Sequence, residues 1–371
     1  MRQISAIVLA AGEGTRMRSS RPKPLHRLCG RPMVLHVLHA VAGLADHGYS
    51  IDRVVVVVGH GAERVQKAVI DQAPPGLHLE FVEQPEQRGT GDAVAVAMTA
   101  FAGDDDEALT DDEEADVLVL AGDTPLLRSV TLAGLIDAHR YEATSATVMT
   151  AIVEDATGYG RVIRGKDDRV LRIVEHKDAT DEERHGREIN TSIFAFRRSL
   201  LAPALRRIEP NNSQGEYYLT DIVEVLSSAG HRVGGVEMED VTEAMGVNDR
   251  IQLALAEAEL RRRVNDEWMR RGVTMVDPAQ TYVDTTVVLG RDITLYPGTV
   301  LQGATVVGDG AEIGPDARLV DCQVGTGACV EQTVAHRATL GAGCRVGPYA
   351  VLEPGSIVAP DTSTGPHSHI M

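Results

Sequence analysis

Hydrophobic positions along this chain follow two different rhythms. Up to about residue 250, short β-branched runs alternate with helical stretches: ISAIVLA, the amphipathic MVLHVLHAVAGLA, RVVVVVG, AERVQKAVIDQ and ADVLVLAGD. Strands alternating with helices predict an α/β arrangement with a largely parallel sheet covered on both faces. The run RVVVVVG at 53–59 is far too short to span a membrane and reads as a strand buried on both faces. Ligands in such folds sit beyond the carboxyl ends of the strands, where loops open into helices. That rule singles out the glycines after residue 10, the GHG after residue 58, and GDTPLL after VLVLA.

From about residue 286, apolar residues recur every six positions, at Leu289, Leu295, Leu301, Val307, Ile313 and Leu319, and later at Leu340, Val346, Leu352 and Val358. The beat slips at Val324 and Val330. This period, with small turn residues as in VGDGAE and IGPDAR, predicts a β-helix of stacked coils. Between the two regimes, IQLALAEAELRRRVNDEWMRRG follows GVNDR at 246–250 and predicts one long helix, closed by Gly272 and suited to join two domains. The expected division is a first domain over 1–248, a linker helix over 249–272 and a β-helix over 273–371. In the closing TSTGPHSHIM, His367 and His369 read as disordered tail residues rather than metal ligands.

Composition narrows the ligand. With 371 residues, 43% of them hydrophobic, the chain can build at least two cores. The net charge of -18 pushes nucleic acid and anionic membrane surfaces away, so a phosphate ligand must be held by a local positive cluster. Part of the acidity lies in GDDDEALTDDEEAD at 103–116, which reads as a solvated surface loop. Four cysteines without a CxxC pair, and a start without a long apolar segment, suggest a reduced cytoplasmic protein with no membrane segment.

The candidate cluster follows the first strand, in LAAGEGTRMRSSRPKPLH. A dinucleotide fingerprint needs glycine at the first, third and sixth loop positions; Gly12 and Gly14 supply two, but Met17 stands at the last. The remaining readings are a loop whose N–H groups wrap polyphosphate with Arg16 and Lys23 nearby, or a glycine turn followed by ordinary basic surface. Asp123, at the end of a predicted strand, reads as a metal ligand or as the cap of a helix beginning near Pro125.

LAAGEGTRM and RPKPLHRLCGRPM resemble the signature of sugar-phosphate nucleotidylyltransferases. EQRGTGDAV, AGDTPLL, TGYGRVIR, IVEHKDATDEER, EINTSIFAF, NNSQGEYYLTDIV and GVNDRIQLA match one branch in order, and the β-helix matches it too. The whole chain is similar to the bifunctional N-acetylglucosamine-1-phosphate uridylyltransferase/glucosamine-1-phosphate acetyltransferase family. The resemblance implies an α/β fold: a Rossmann-like nucleotidyltransferase domain with a mostly parallel sheet, a linker helix, then a short left-handed parallel β-helix. It implies transfer of UMP from UTP to N-acetylglucosamine 1-phosphate, with Mg²⁺ as cofactor and a homotrimer formed through the β-helix.

Carried over by the same resemblance, the nucleotide falls on Leu9, Ala11, Gly12, Gly14 and Thr15, with Arg16 and Lys23 as catalytic cations. Gln84, Gly89 and Thr90 would read uracil with Gln87 close by, an amide offering both donor and acceptor. Asp123 and Asn248 would hold the metal; Gly160, Glu175, Asn190, Tyr218 and Thr220 would hold the sugar. Three departures stand out. Asp92 and Glu353 replace a more usual histidine and an arginine that meets the sugar phosphate, and the chain stops at Met371, before coils that carry acetyl transfer. Uridylyl transfer without acetyl transfer is therefore expected. The rivals are a nucleotidylyltransferase for another base or hexose 1-phosphate, and a non-catalytic sugar-nucleotide sensor or scaffold.

Overall fold

The computed structural model describes residues 2–101 and 115–371. The chain divides into two compact units, Met1–His26 with Pro32–Gln252, and Arg27–Arg31 with Leu253–Met371.

The first unit is built on a nine-stranded sheet. Its strands are β1 (Ile4–Ala10), β2 (Arg53–Val58), β3 (Leu79–Glu83), β4 (Asp116–Ala121), β5 (Ala146–Ile152), β6 (Arg161–Arg164), β7 (Val170–Val174), β8 (Glu188–Arg197) and β9 (Val233–Glu237). Seven run in the order β9-β5-β8-β4-β1-β2-β3, and β6 and β7 form an antiparallel branch from β8. Along the main path β8 is antiparallel to its neighbours and every other pair is parallel. The valine run owes its lack of polar residues to this place: Val54, Val56 and Val58 enter the core on one face and Val55 and Val57 the core on the other, all fully buried. The chain leaves β1 toward β2 and β3, then returns to β1's other side as β4. The resulting switch point opens a crevice at the carboxyl ends of β1 and β4.

The acidic stretch needs a correction at its end. Residues 103–114 lie outside the described residues, but Asp116 is the first residue of β4, 1% exposed, and accepts a 2.7 Å hydrogen bond from Arg140 Nε. It is a buried, paired carboxylate and not part of a solvated loop.

The second unit begins in the helix Arg250–Arg270, which Gly272 follows at φ 97. Val264, Trp268 and Met269 pack on the β-helix core, and the buried Asn265 donates to the carbonyls of Pro278 and Thr281, both at 2.9 Å. The coils stack three parallel ladders, of five, six and five strands. Every position of the six-residue beat points inward, Val324 and Val330 included. The slips have a geometric cause. Leu301 pairs with Leu319 eighteen residues on, but Leu319 pairs with Ala335 only sixteen on, because the edges ending at Val324 and Ala335 are each one residue short, as is the next edge, which ends at Leu340. Asp321, Gln332 and Arg337 turn the shortened corners at φ 54, 42 and 46.

The closing residues also differ from expectation. His369 and Ile370 pair in parallel with Val351 and Leu352, His367 stacks on Tyr349 with ring centroids 5.0 Å apart, and His369 Nε2 lies 3.3 Å from Glu353 Oε1. The tail forms an edge of the last coil, because its alternation continues the ladder. Among the described residues no helix is long and apolar enough to cross a membrane, and all four cysteines are free thiols.

Leu319 is fully buried between Leu301 and Ala335. Leu319→Ala should cost about 2–5 kcal/mol of stability in chemical denaturation; a loss below about 1 kcal/mol would show that this column is not the structural core.

Candidate active site

The crevice holds a cleft of about 530 Å³. Two main-chain approaches shape it. Gly122 donates its N–H to Leu9 O at 2.9 Å, and a Cβ on Gly122 would lie 2.7 Å from that oxygen. A Cβ on Gly59 would lie 2.8 Å from Ala11 O. Of the three glycine-marked places, two line the cleft; the GHG segment instead supports it from behind through Gly59, with His60 outside the lining.

On one side the cleft is lined by Leu9, Ala11, Gly12, Arg16 and Lys23. Gly14 and Thr15 stand off the lining: Gly14 turns the loop at φ 65 against Lys23, where a Cβ would meet Lys23 Cβ at 2.6 Å, and Thr15 opens the 3-10 helix Thr15–Met17. Gly14 therefore leaves the room that the Lys23 side chain occupies. The Lys23 ammonium donates to Asp123 Oδ2 in a short charged contact and to Asn248 Oδ1 at 2.9 Å, with the lysine side chain 12% exposed. Three residues from distant segments thus share one positive centre. The capping role for Asp123 falls away, because the following helix begins only at Ser129.

Asn248 is brought there by a second tie. Val247 donates its N–H to Asp123 O at 2.9 Å, and the fully buried Glu243 accepts Arg128 N–H at 2.9 Å and Arg128 Nε at 2.6 Å. Arg128 and Glu243 were not singled out in the sequence, since an isolated Arg and Glu 115 residues apart give no pattern.

At the other side stand Gln84, Gly89 and Thr90. Gly89 has φ 111, and a Cβ there would lie 2.4 Å from Tyr217 O, so only glycine fits. Gln84 Nε2 donates to Asp92 Oδ2 at 2.8 Å and to Gly89 O at 3.2 Å, and Gln87 Nε2 donates to Ala11 O at 2.9 Å. Thr90 Oγ1 accepts the Leu219 N–H at 3.1 Å, which ties this loop to the segment carrying Tyr218 and Thr220.

Glu175, Asn190, Tyr218 and Thr220 line the far end, and Gly160 lines a smaller adjoining pocket that shares Asp123, Glu175, Asn190 and Asn248. A β-bulge in β8 aims Asn190: the register shifts between Asn190 and Phe194, Ser192 sits at φ 62, and its N–H donates to Asn190 Oδ1 at 3.0 Å. Ser192, Gln214 and Tyr159 join the lining without having stood out in the sequence. Burial pushes the Glu175 carboxyl up, against a 3.1 Å hydrogen bond from Thr220 Oγ1, and Asp178 pushes it further. Beneath it the Asp221 carboxyl is pushed up to about 6, by burial first and then by Glu175, Glu224 and Asp178.

The nucleotidyl transferase family matches residues 5–269. A "Bifunctional protein GlmU" of Streptomyces avermitilis is 46% identical over 366 residues, 98% of this chain and 73% of that protein. One of Halalkalibacterium halodurans is 41% identical over 360 residues, 97% of this chain and 75% of that protein. One of Corynebacterium aurimucosum is 44% identical over 363 residues, 97% and 72%. A crystal structure of UDP-glucose pyrophosphorylase complexed with UDP-glucose superposes with a TM-score of 0.54 at 14% identity, over 71% of this chain and all of that one, a likeness of fold.

Two measurements probe the site's construction. Gly89→Ala should cost about 1–3 kcal/mol in thermal unfolding, and unaltered melting would show that the loop is not held against Tyr217. A carboxyl raised in the folded state stabilises the protein below its ordinary value, 3.8 for Asp221, and loses that contribution as pH rises through about 6. Asp221→Asn should flatten the fall in stability across that window and leave the variant about 1 kcal/mol more stable at pH 7, after discounting for solvent screening. Identical pH slopes in variant and parent would contradict this.

Proposed function

The chain belongs to the family of bifunctional GlmU proteins and is a nucleotidyltransferase; on that premise we propose that it transfers UMP from UTP to N-acetylglucosamine 1-phosphate, releasing pyrophosphate. The product, UDP-N-acetylglucosamine, is a cell-wall precursor. The observation that carries the reading is the meeting of Lys23, Asp123 and Asn248 beside a glycine loop at the switch point.

Asp123 and Asn248 offer a carboxylate and an amide oxygen directed at one positive centre, the Lys23 ammonium. Few, hard oxygen donors suit Mg²⁺, which keeps waters and takes further ligands from phosphate. In our reading Asp123 and Asn248 hold that ion, which when bound supplies charge neutralisation at the α-phosphate. The N–H groups of the Ala11–Thr15 loop close on the triphosphate, Gln84, Gly89 and Thr90 meet uracil, and Gly160, Glu175, Asn190, Tyr218 and Thr220 hold the sugar. A sugar-phosphate oxygen then attacks the α-phosphorus in line, the bridging P–O bond to the β-phosphate breaks, and pyrophosphate departs. No general base is required, because the attacking phosphate is already ionised. Arg16 and Lys23 stabilise the charge that builds between entering and leaving oxygens.

For the remainder we propose a cytoplasmic homotrimer formed through the β-helix. The exposed apolar side chains Tyr282, Val288, Val334, Val351 and Ile357 on its outer faces support an assembly. We also propose that acetyl transfer is absent from these coils: Glu353, whose carboxylate faces His369, would repel the phosphate that an arginine would hold.

Pyrophosphate release measured for four nucleoside triphosphates against several hexose 1-phosphates should single out UTP with N-acetylglucosamine 1-phosphate. Lys23→Ala and Asp123→Ala should each lower turnover by roughly 10²–10³-fold with melting curves that show an intact fold; near-normal pyrophosphate release by either variant would sink the assignment.

A further inference from the structure

Gln84 follows β3, with its main-chain N–H donated to Val58 O at 2.8 Å. Its side chain lines the cleft although the residue is only 4% exposed, so little more than one edge of the amide is available to a ligand. The two ends of an amide are nearly identical in shape and opposite in hydrogen-bonding character. Which end faces the cleft decides what kind of base edge it accepts, and that choice is made by whatever stands behind it.

Behind Gln84 stand two acceptors. Nε2 donates to Asp92 Oδ2 at 2.8 Å and to the Gly89 carbonyl at 3.2 Å, so both of its N–H bonds are used. Asp92 lies in the first turn of the helix Thr90–Ala97, where the helix dipole favours a negative side chain. Gly89 O is a carbonyl fixed by the left-handed turn that only glycine can make. A reversed amide would set Oε1 against a carboxylate and a carbonyl, two repulsive contacts in place of two hydrogen bonds. The orientation therefore has a single solution, which leaves the acceptor Oε1 as the polar group Gln84 offers to the cleft.

On this basis, and resting on the proposed contact of Gln84 with the base, we infer that Asp92 is the positioning residue that sets pyrimidine selectivity. It does so by locking the Gln84 amide with its oxygen toward the nucleotide. Uracil presents a donor at N3, which this oxygen accepts; cytosine presents a lone pair there, which it repels. Thymine shares the N3–H and is not distinguished by this contact. Asp92 touches no substrate, and its influence runs wholly through Gln84.

The test compares kcat/KM for UTP, CTP and TTP in the wild type, Gln84→Ala, Asp92→Asn, Asp92→Ala and Asp92→Glu. Asparagine can turn its own amide and donate to Gln84 Oε1, which frees the Gln84 amide to reverse. The preference for UTP over CTP should then fall by about tenfold or more. The change should lie mainly in KM, rising for UTP and falling for CTP, with TTP following UTP. Asp92→Ala should lower the ratio in the same sense, so the reading survives if the asparagine variant does not fold. Asp92→Glu, which restores an acceptor, should retain more of the preference than either. Wild-type UTP-to-CTP ratios in Asp92→Asn and Asp92→Ala, with a lowered ratio in Gln84→Ala, would overturn the role of Asp92 and leave the base contact standing. So would an equal loss of kcat with every nucleotide, the mark of a merely structural residue. An unchanged ratio in Gln84→Ala would instead remove the base contact itself.

Discussion

The cleft depends on main chain touching main chain at the carboxyl end of β1. Gly122 hydrogen-bonds to Leu9, and Gly59 backs against Ala11, at distances that leave no room for a side chain. Asp123 is the next residue after Gly122, so the same approach that closes the sheet brings its carboxylate beside Lys23. From there the geometry propagates outward: Val247 binds the Asp123 carbonyl, and Asn248 arrives as its neighbour. The Arg128 to Glu243 pair holds the two loops in that relation. A bulkier residue at either glycine would separate the strand ends and scatter donors that no other element could regroup.

Much of this was legible in the sequence because it is encoded locally. A run of five valines has no polar face to show, since both faces of β2 are buried, and a six-residue beat is visible because each edge of the coil turns one apolar side chain inward. What escaped reading depends on partners far apart in the chain. Asp116 looked like one more acid in an acidic stretch until Arg140 was found beside it. The bulge at Ser192 leaves no trace in a strand of ordinary composition, yet it aims Asn190. Ala335 is a core position that the shortened edges place off the six-residue beat. The closing histidines belong to a coil whose partner strand alone reveals it.

Charge in this molecule works at two ranges. The net charge of -18 sets the long-range field against anions, while the cleft brings Arg16 and Lys23 together at one end. At the opposite end the carboxyl groups of Glu175 and Asp221 are pushed up by burial first, with Asp178 acting on both and Glu175 and Glu224 on Asp221. One end of a single cleft thus carries its cations and the other a buried carboxyl, so the two ends differ in charge.

The shortened coils of the β-helix carry a different lesson, about what can change. Each strand pairs only with the coil before it and the coil after it, at steps between sixteen and eighteen residues. Such a stack is close to one-dimensional, with stability summed over neighbouring contacts. Removing or adding one whole coil preserves every inward column beyond it, whereas removing one residue within an edge rotates all later side chains unless a corner absorbs the loss. Asp321, Gln332 and Arg337 turn the corners of the five-residue edges. The length of this half can therefore change in units of a full turn at little structural cost, whereas a change of one residue has to be taken up within a single corner.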